Sequence, residues 1–181
     1  MRLATFAIDS LTQRSVPGEN VRQEFVDAID IMIQDYARSQ KREVLSREEL
    51  EEYFHNAFDP LINIALIGLG SKLRKNDLPS FGSLQARAYS IRDLEEDWEI
   101  GLINIPKEVL NKSGLHGDSA ACEVRESAVV QSYFYNQLLI AQEEIWETQE
   151  ALDCCGEWLT QTVLQKSLNT ADSIIRYYTS T

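Results

Sequence analysis

Cysteine, histidine and cationic residues are scarce in this chain, and each shortage removes a class of protein. The three cysteines, Cys122, Cys154 and Cys155, are odd in number and include an adjacent pair, so they make neither a disulfide framework nor a zinc spacing. A reducing cytoplasm is the simplest setting. Of two histidines, His55 falls on a helical pattern, where a surface or core-edge role is its ordinary reading. Lys and Arg number 17 against 29 Asp and Glu, a formal charge of -12, which argues against nucleic-acid phosphate or an anionic bilayer as a direct partner. An anion bridged by a metal stays open. No apolar run approaches the roughly 20 residues of a membrane span; the longest, Leu61 to Leu69, is interrupted by Asn63. The first residues carry one basic residue and an apolar run stopped by Asp9, too short for a secretory signal. Alternating strand-like runs, internal repeats, a glycine-rich phosphate loop and a nucleophile elbow are not found.

What is there is helical period. The 181 residues suit one domain with a sizeable core. Asp9, Ser10, Ser15, Pro17, Gly18 and Asn20 crowd a short space and favour a loop, so residues 1–19 are expected to form a flexible amino-terminal segment and 20–181 a single all-helical domain. Val21, Phe25, Ala28, Ile29, Met32, Ile33 and Tyr36 recur at three and four residue steps and predict an amphipathic helix over 20–40 with one apolar stripe. Ser46-Arg47-Glu48-Glu49 is a capping box that starts a second helix, kinked at Pro60 and apolar all round beyond it, as a central helix would be. Lys72, Arg74 and Lys75 form the one cationic cluster; it reads as helix-end charge and solubility, or as a contact to a diphosphate. A third helix is expected over about 80–100, a short one after Pro106, a long one from Ser119 to near Cys155, and a last one beyond Gly156. The fold class is an all-α helical bundle.

The stretch Arg92-Asp93-Leu94-Glu95-Glu96-Asp97 carries the chemistry. Asp93 and Asp97 are four apart, so on a helix both carboxylates leave one face about one turn apart. Carboxylates at this spacing also decorate solvated helices. Here, however, the stripe runs Ala86, Tyr89 or Ser90, Asp93, Asp97, and a carboxylate face that begins among small and neutral residues has the character of a cavity wall.

Arg92-Asp93, Glu96-Asp97, Gly101 and Ile105-Pro106-Lys107-Glu108 together resemble the second aspartate-rich motif of the squalene and phytoene synthase family, roughly R-D-x-x-E-D-x-x-x-G-x-x-x-[LI]-P-x-E. Gly82, Ile31-Met32 with Asp35, Tyr53, Leu110 and Gly114 extend the likeness more weakly over residues 20–178. The resemblance implies a class I isoprenoid synthase fold, incomplete at its amino-terminal end, and magnesium-dependent prenyl transfer in isoprenoid biosynthesis. Carried over, Asp93 and Asp97, supported by Arg92 and Glu96, would hold Mg2+ that bridges a prenyl diphosphate, and Arg92, Asp93 and Asp97 would be the catalytic set. Tyr53, Phe54, Phe58, Leu61 and Tyr89 are candidates for the walls around the prenyl tail; the same residues suit a plain core. The family's first aspartate-rich motif has no counterpart, the Asp27 and Asp30 pair being the nearest substitute. Tyr89 stands at the family's metal-binding asparagine, Ala86 at a glutamine, and Leu102 and Asn104 at an arginine and a tyrosine. A companion chain or second copy would supply the missing motif. The alternative is a catalytically inactive, truncated relative that serves as a helical binding or assembly partner. No nicotinamide-binding signature is visible.

Overall fold

The computed structural model describes residues 2–179. Among them the only β feature is an isolated bridge between Val44 and Ile103, and the chain is an all-α bundle. Helix α1 spans Arg2–Thr12 and α2 Val21–Lys41. The expectation of a flexible loop over 1–19 is corrected by α1. Asp9 and Ser10 are taken up in this helix, which ends at Thr12 and packs against α2 and α4, with Leu11 near Gly68 and Arg14 donating to the Gly68 carbonyl at 2.8 Å.

Helix α2 begins where Asn20 accepts from the Gln23 amide at 3.2 Å. It ends at Arg42, which adopts the left-handed conformation at φ 48°. The capping box forms as expected: Glu49 N donates to Ser46 Oγ at 3.3 Å and Ser46 N to Glu49 Oε2 at 2.7 Å, opening α3 (Arg47–Asn56). Pro60 does not kink a continuous helix. It lies in the first turn of a separate helix, α4 (Asp59–Leu69), where its missing N–H has no partner to lose. The cationic cluster is used locally. Arg74 pairs with Glu19 and donates to the Ser71 and Leu73 carbonyls, and Lys75 lies 3.6 Å from Asp59.

The helix expected over 80–100 is two, α5 (Phe81–Arg92) and α6 (Leu94–Ile100), separated at Asp93. A short α7 (Lys107–Ser113) and α8 (Ala121–Glu126) follow, and Ser127 in extended conformation separates α8 from α9 (Ala128–Asp153). Gly156, at φ 65°, turns the chain into α10 (Trp158–Thr179).

The centre of the bundle is α5, not α4. It packs against α3, α6, α9 and α10, and every residue from Phe81 to Ile91 except Tyr89 is buried. One core joins Leu66, Phe81, Leu84, Leu152, Leu168 and Ile175 across α4, α5, α9 and α10. A second holds Trp98, Ile103, Ile105, Val109 and Val124 beneath the segment after α6. Arg87 crosses the middle with 3% of its side chain exposed, paired with Glu144 of α9 at 3.2 Å and Glu51 of α3 at 2.5 Å.

Candidate functional site

The segment that follows α6 is fixed by geometry that leaves few alternatives. Gly101 closes α6 at φ 87°, and a Cβ there would collide with the Ser39 carbonyl oxygen. Only glycine combines that backbone conformation with so close an approach. Arg42 then reaches across to the carbonyls of Trp98 at 2.8 Å and Gly117 at 2.5 Å. Past the bridge of Ile103 to Val44, Lys107 N donates to the Leu45 carbonyl at 2.8 Å. Residues 101–107 are thereby laid along the end of α2.

This arrangement sets one wall of a cavity of about 220 Å³ between α2, α3, α4 and the α5–α6 junction. Asp93 and Asp97 both line it, as do Tyr53, Phe58 and Tyr89. Although the helix breaks at Asp93, Asp97 N still donates to the Asp93 carbonyl at 2.7 Å. The one-turn relation inferred from the spacing therefore survives the break. Leu61 and Met32 stand at the cavity too, and Phe58 stacks on Tyr89 with ring centroids 5.7 Å apart. Arg92 forks onto Asp93, with Nε 2.5 Å from Oδ1 and Nη2 2.7 Å from Oδ2, while its guanidinium covers the Tyr89 ring at 4.5 Å.

Three of the expected site residues, Phe54, Glu96 and Arg92, do not line this cavity. Phe54 is buried with Leu50, Ala57 and Ala86, under the Arg87 guanidinium at 5.2 Å, and does not reach the cavity. It is core because it follows Tyr53 on α3 and so points about 100° away. Glu96 and Arg92 line a second cavity, of about 750 Å³, with Ile91, Leu94, Phe134 and Tyr178. Glu96 directly precedes Asp97 on α6, so it cannot share that residue's face. It lines the larger cavity and not the one that Asp93 and Asp97 share. Asp27 and Asp30 also miss the smaller cavity; Asp27 accepts from Gln23 at 2.8 Å and Asp30 is exposed.

The structure brings Asp35 instead. Its carboxylate accepts from the Tyr53 hydroxyl at 3.1 Å and lies 3.4 Å from Arg38 Nη1. Buried Arg38 sits 4.7 Å over the Tyr53 ring and donates through Nη2 to Asn104 Oδ1 at 3.2 Å and to the Ile103 carbonyl at 3.0 Å. Asn104 turns its amide to Asp97 Oδ2 at 3.1 Å. A polar chain thus runs from Asp97 through Asn104 and Arg38 to Asp35 and Tyr53. Arg38 was not legible as part of the site, although its three-residue offset from Asp35 is the helical pair spacing that could have flagged it.

The electrostatics of Asp97, Asp35 and Tyr53 are set first by burial. Burial pushes the Asp97 carboxyl up to about 6, the neighbouring Asp93 charge adds to this, and the Asn104 amide opposes it. Burial likewise raises Asp35, against the pull of Arg38 and Tyr53. Burial, with the charge of Asp35, raises Tyr53, so its hydroxyl stays a donor. Asp97, half-buried beside another carboxylate and in no ion pair among the described residues, is a group that a bound cation would favour in its charged form. Among the described residues no group of three or more His, Cys, Asp or Glu side chains forms a complete metal-binding set. Asp93 and Asp97 would therefore have to share a metal with oxygen ligands from a bound molecule, the usual arrangement for magnesium. No family model, curated protein or solved structure matches the chain.

Proposed function

We propose that this cavity is one wall of a magnesium-dependent prenyl diphosphate site in a protein resembling the squalene and phytoene synthases, with a second chain completing it. The supporting observation is convergence. Asp93 and Asp97 of the motif, Tyr89 of the preceding helix, Phe58 before α4 and Tyr53 of α3 face one cavity, although the sequence separates them by as much as 44 positions (97 − 53). In this reading Asp93 and Asp97 hold Mg2+ against the diphosphate, and Arg92 orients Asp93. Tyr53 and Asn104 keep Asp35 and Asp97 in place, and Phe58, Tyr89, Met32 and Leu61 border the prenyl tail. The metal, when bound, supplies neutralisation of a departing diphosphate. Because 220 Å³ falls below the roughly 300 to 1,000 Å³ of pockets that enclose a drug-sized ligand, the cavity takes the head and the start of the tail.

Calorimetric titration of the chain with farnesyl thiodiphosphate, with and without Mg2+, tests this. Magnesium-dependent binding that Asp93→Asn and Asp97→Asn each abolish is the expected result; equal titrations for wild type and both variants overturn it. A second reading, an inactive relative acting as an assembly partner, is favoured by the large apolar residues left exposed on α2. It predicts no thiodiphosphate binding by any form of the chain.

A further inference from the structure

The larger cavity, of about 750 Å³, shares no lining residue with the one that Asp93 and Asp97 line. Its floor lies where the two cores meet. Buried Ile91 and Leu138 belong to the core across α4, α5, α9 and α10, buried Val130 belongs to the core beneath the segment after α6, and half-buried Phe134 packs against both. Half-buried Leu94 adds to the apolar part. The edges are tied across by polar side chains. Arg125 of α8 donates to Glu95 of α6 at 2.8 Å, and the Tyr178 hydroxyl of α10 donates to the Arg92 carbonyl at 3.4 Å. A volume of 750 Å³ holds fewer than two turns of a helix about 10–12 Å across. It falls within the roughly 300 to 1,000 Å³ of small-molecule pockets, which share this make-up of an apolar floor and a few polar groups. The occupant that fits is a small molecule.

The charges of the wall select its head group. Four charged residues line the cavity, Arg92, Arg125, Glu95 and Glu96, and they cancel. Both cations are already taken, Arg92 by Asp93 and Arg125 by Glu95. An anionic head would meet Glu96, which is in no ion pair among the described residues, and no guanidinium without its own carboxylate. A cationic head would meet two guanidinium groups. Neither charge is matched by a surplus of the other, whereas a hydroxyl donates to a carboxylate or accepts from a guanidinium N–H without bringing a charge to an apolar floor. We infer that this cavity binds an uncharged amphiphile, an apolar chain or ring system ending in a hydroxyl. The site is separate from the prenyl diphosphate reading, and a failed thiodiphosphate titration would leave it standing.

The test uses the full chain, the uncharged dye Nile red as reporter, and three ligands of one chain length, 1-decanol, decanoate and decyltrimethylammonium. Titrations at pH 7.5 in about 0.15 M salt screen the chain's net charge of -12. Decanol is expected to displace the dye about tenfold or more tightly than either charged ligand. Gln131→Trp, at an exposed lining position, fills the mouth and should abolish dye binding while circular dichroism and melting stay as in wild type. Glu96→Lys, also at an exposed position, leaves three cations to one carboxylate on the wall. It should raise the affinity for decanoate relative to decanol about tenfold, a gain that a misfolded chain does not show. Dye binding that is absent from wild type or undiminished by Gln131→Trp overturns the inference. So does a charged ligand that binds as tightly as decanol, or a decanoate-to-decanol ratio unmoved by Glu96→Lys.

Discussion

Asp97 is where the electrostatics of single residues become measurable. Its carboxyl is raised to about 6 in the folded chain, by burial first and Asp93 second, against about 3.9 when unfolded. A group raised in the folded state favours folding while protonated, so its contribution is fully present below about 4 and is lost as pH rises through about 6. Asp97→Asn keeps an acceptor for Asn104 and removes the charge. It should stabilise the protein at pH 7.5 by about 1 kcal/mol after solvent screening, a rise of about 2 to 4 °C in Tm, and flatten the loss of stability between pH 4 and 6. Melts that overlay those of wild type across this range would remove the electrostatic account. Glu144 is a related case with a cation beside it: burial raises its carboxyl, and Arg87 and Ser83 only partly offset that. Arg87→Met should cost about 3 kcal/mol or more, since it strands Glu144, and adding Glu144→Gln should recover part of the loss. Chemical denaturation of the two variants checks this, and a double variant no more stable than the single one would contradict it.

At the level of elements, what could be read from the sequence depended on whether a local signal controlled the outcome. The start of α3 was legible because Ser46 and Glu49 satisfy each other's backbone without outside help. Ser46→Ala should therefore cost about 1 kcal/mol in urea unfolding and leave the fold intact. The limits of α2 were legible for the same reason, from an apolar period bounded by Asn20. The break at Asp93 was not. Nothing in Arg92-Asp93-Leu94 signals it, and it follows from Gly101 and Arg42, which fix the far end of α6 against α2. Gly101→Ala should accordingly be much worse than Ser46→Ala. The left-handed backbone alone costs about 1 to 2 kcal/mol for a residue with a side chain, and the collision with Ser39 adds to it. Equal midpoints for the two variants would show that the α2 contact is looser than drawn. Pairing Asp93 with Asp97 was legible because it needs only helical spacing. Asp35 and Arg38 were harder to see, because they join the site through a contact between segments about 60 residues apart, Arg38 to Asn104 being 66.

On the scale of the whole molecule, an all-α bundle was readable from helical period and the want of alternating runs, and its central helix was not. Hydropathy points to α4, whose Leu61-Ile62 and Leu66-Ile67 read as core, yet Leu61 stays exposed. The centre belongs to α5, in which Gly82, Ser83, Gln85, Ala86, Arg87, Ala88 and Ser90 are buried among four neighbouring helices. Small side chains let those helices approach, and two of the polar ones are buried with partners: Ser83 donates to Glu144 at 2.6 Å and Arg87 bridges to Glu51, whereas Gln85 Nε2 is buried without one. Buriedness here follows from fit rather than from oiliness. A saturation scan of the chain, scored by the fraction of variants that still accumulate as folded protein, should therefore give a tolerance profile that runs against the hydropathy profile. It should fall to its lowest over Gly82 to Ser90 and stay high at Ile29, Ile33 and Tyr36, so that the most permissive positions include some of the most hydrophobic ones.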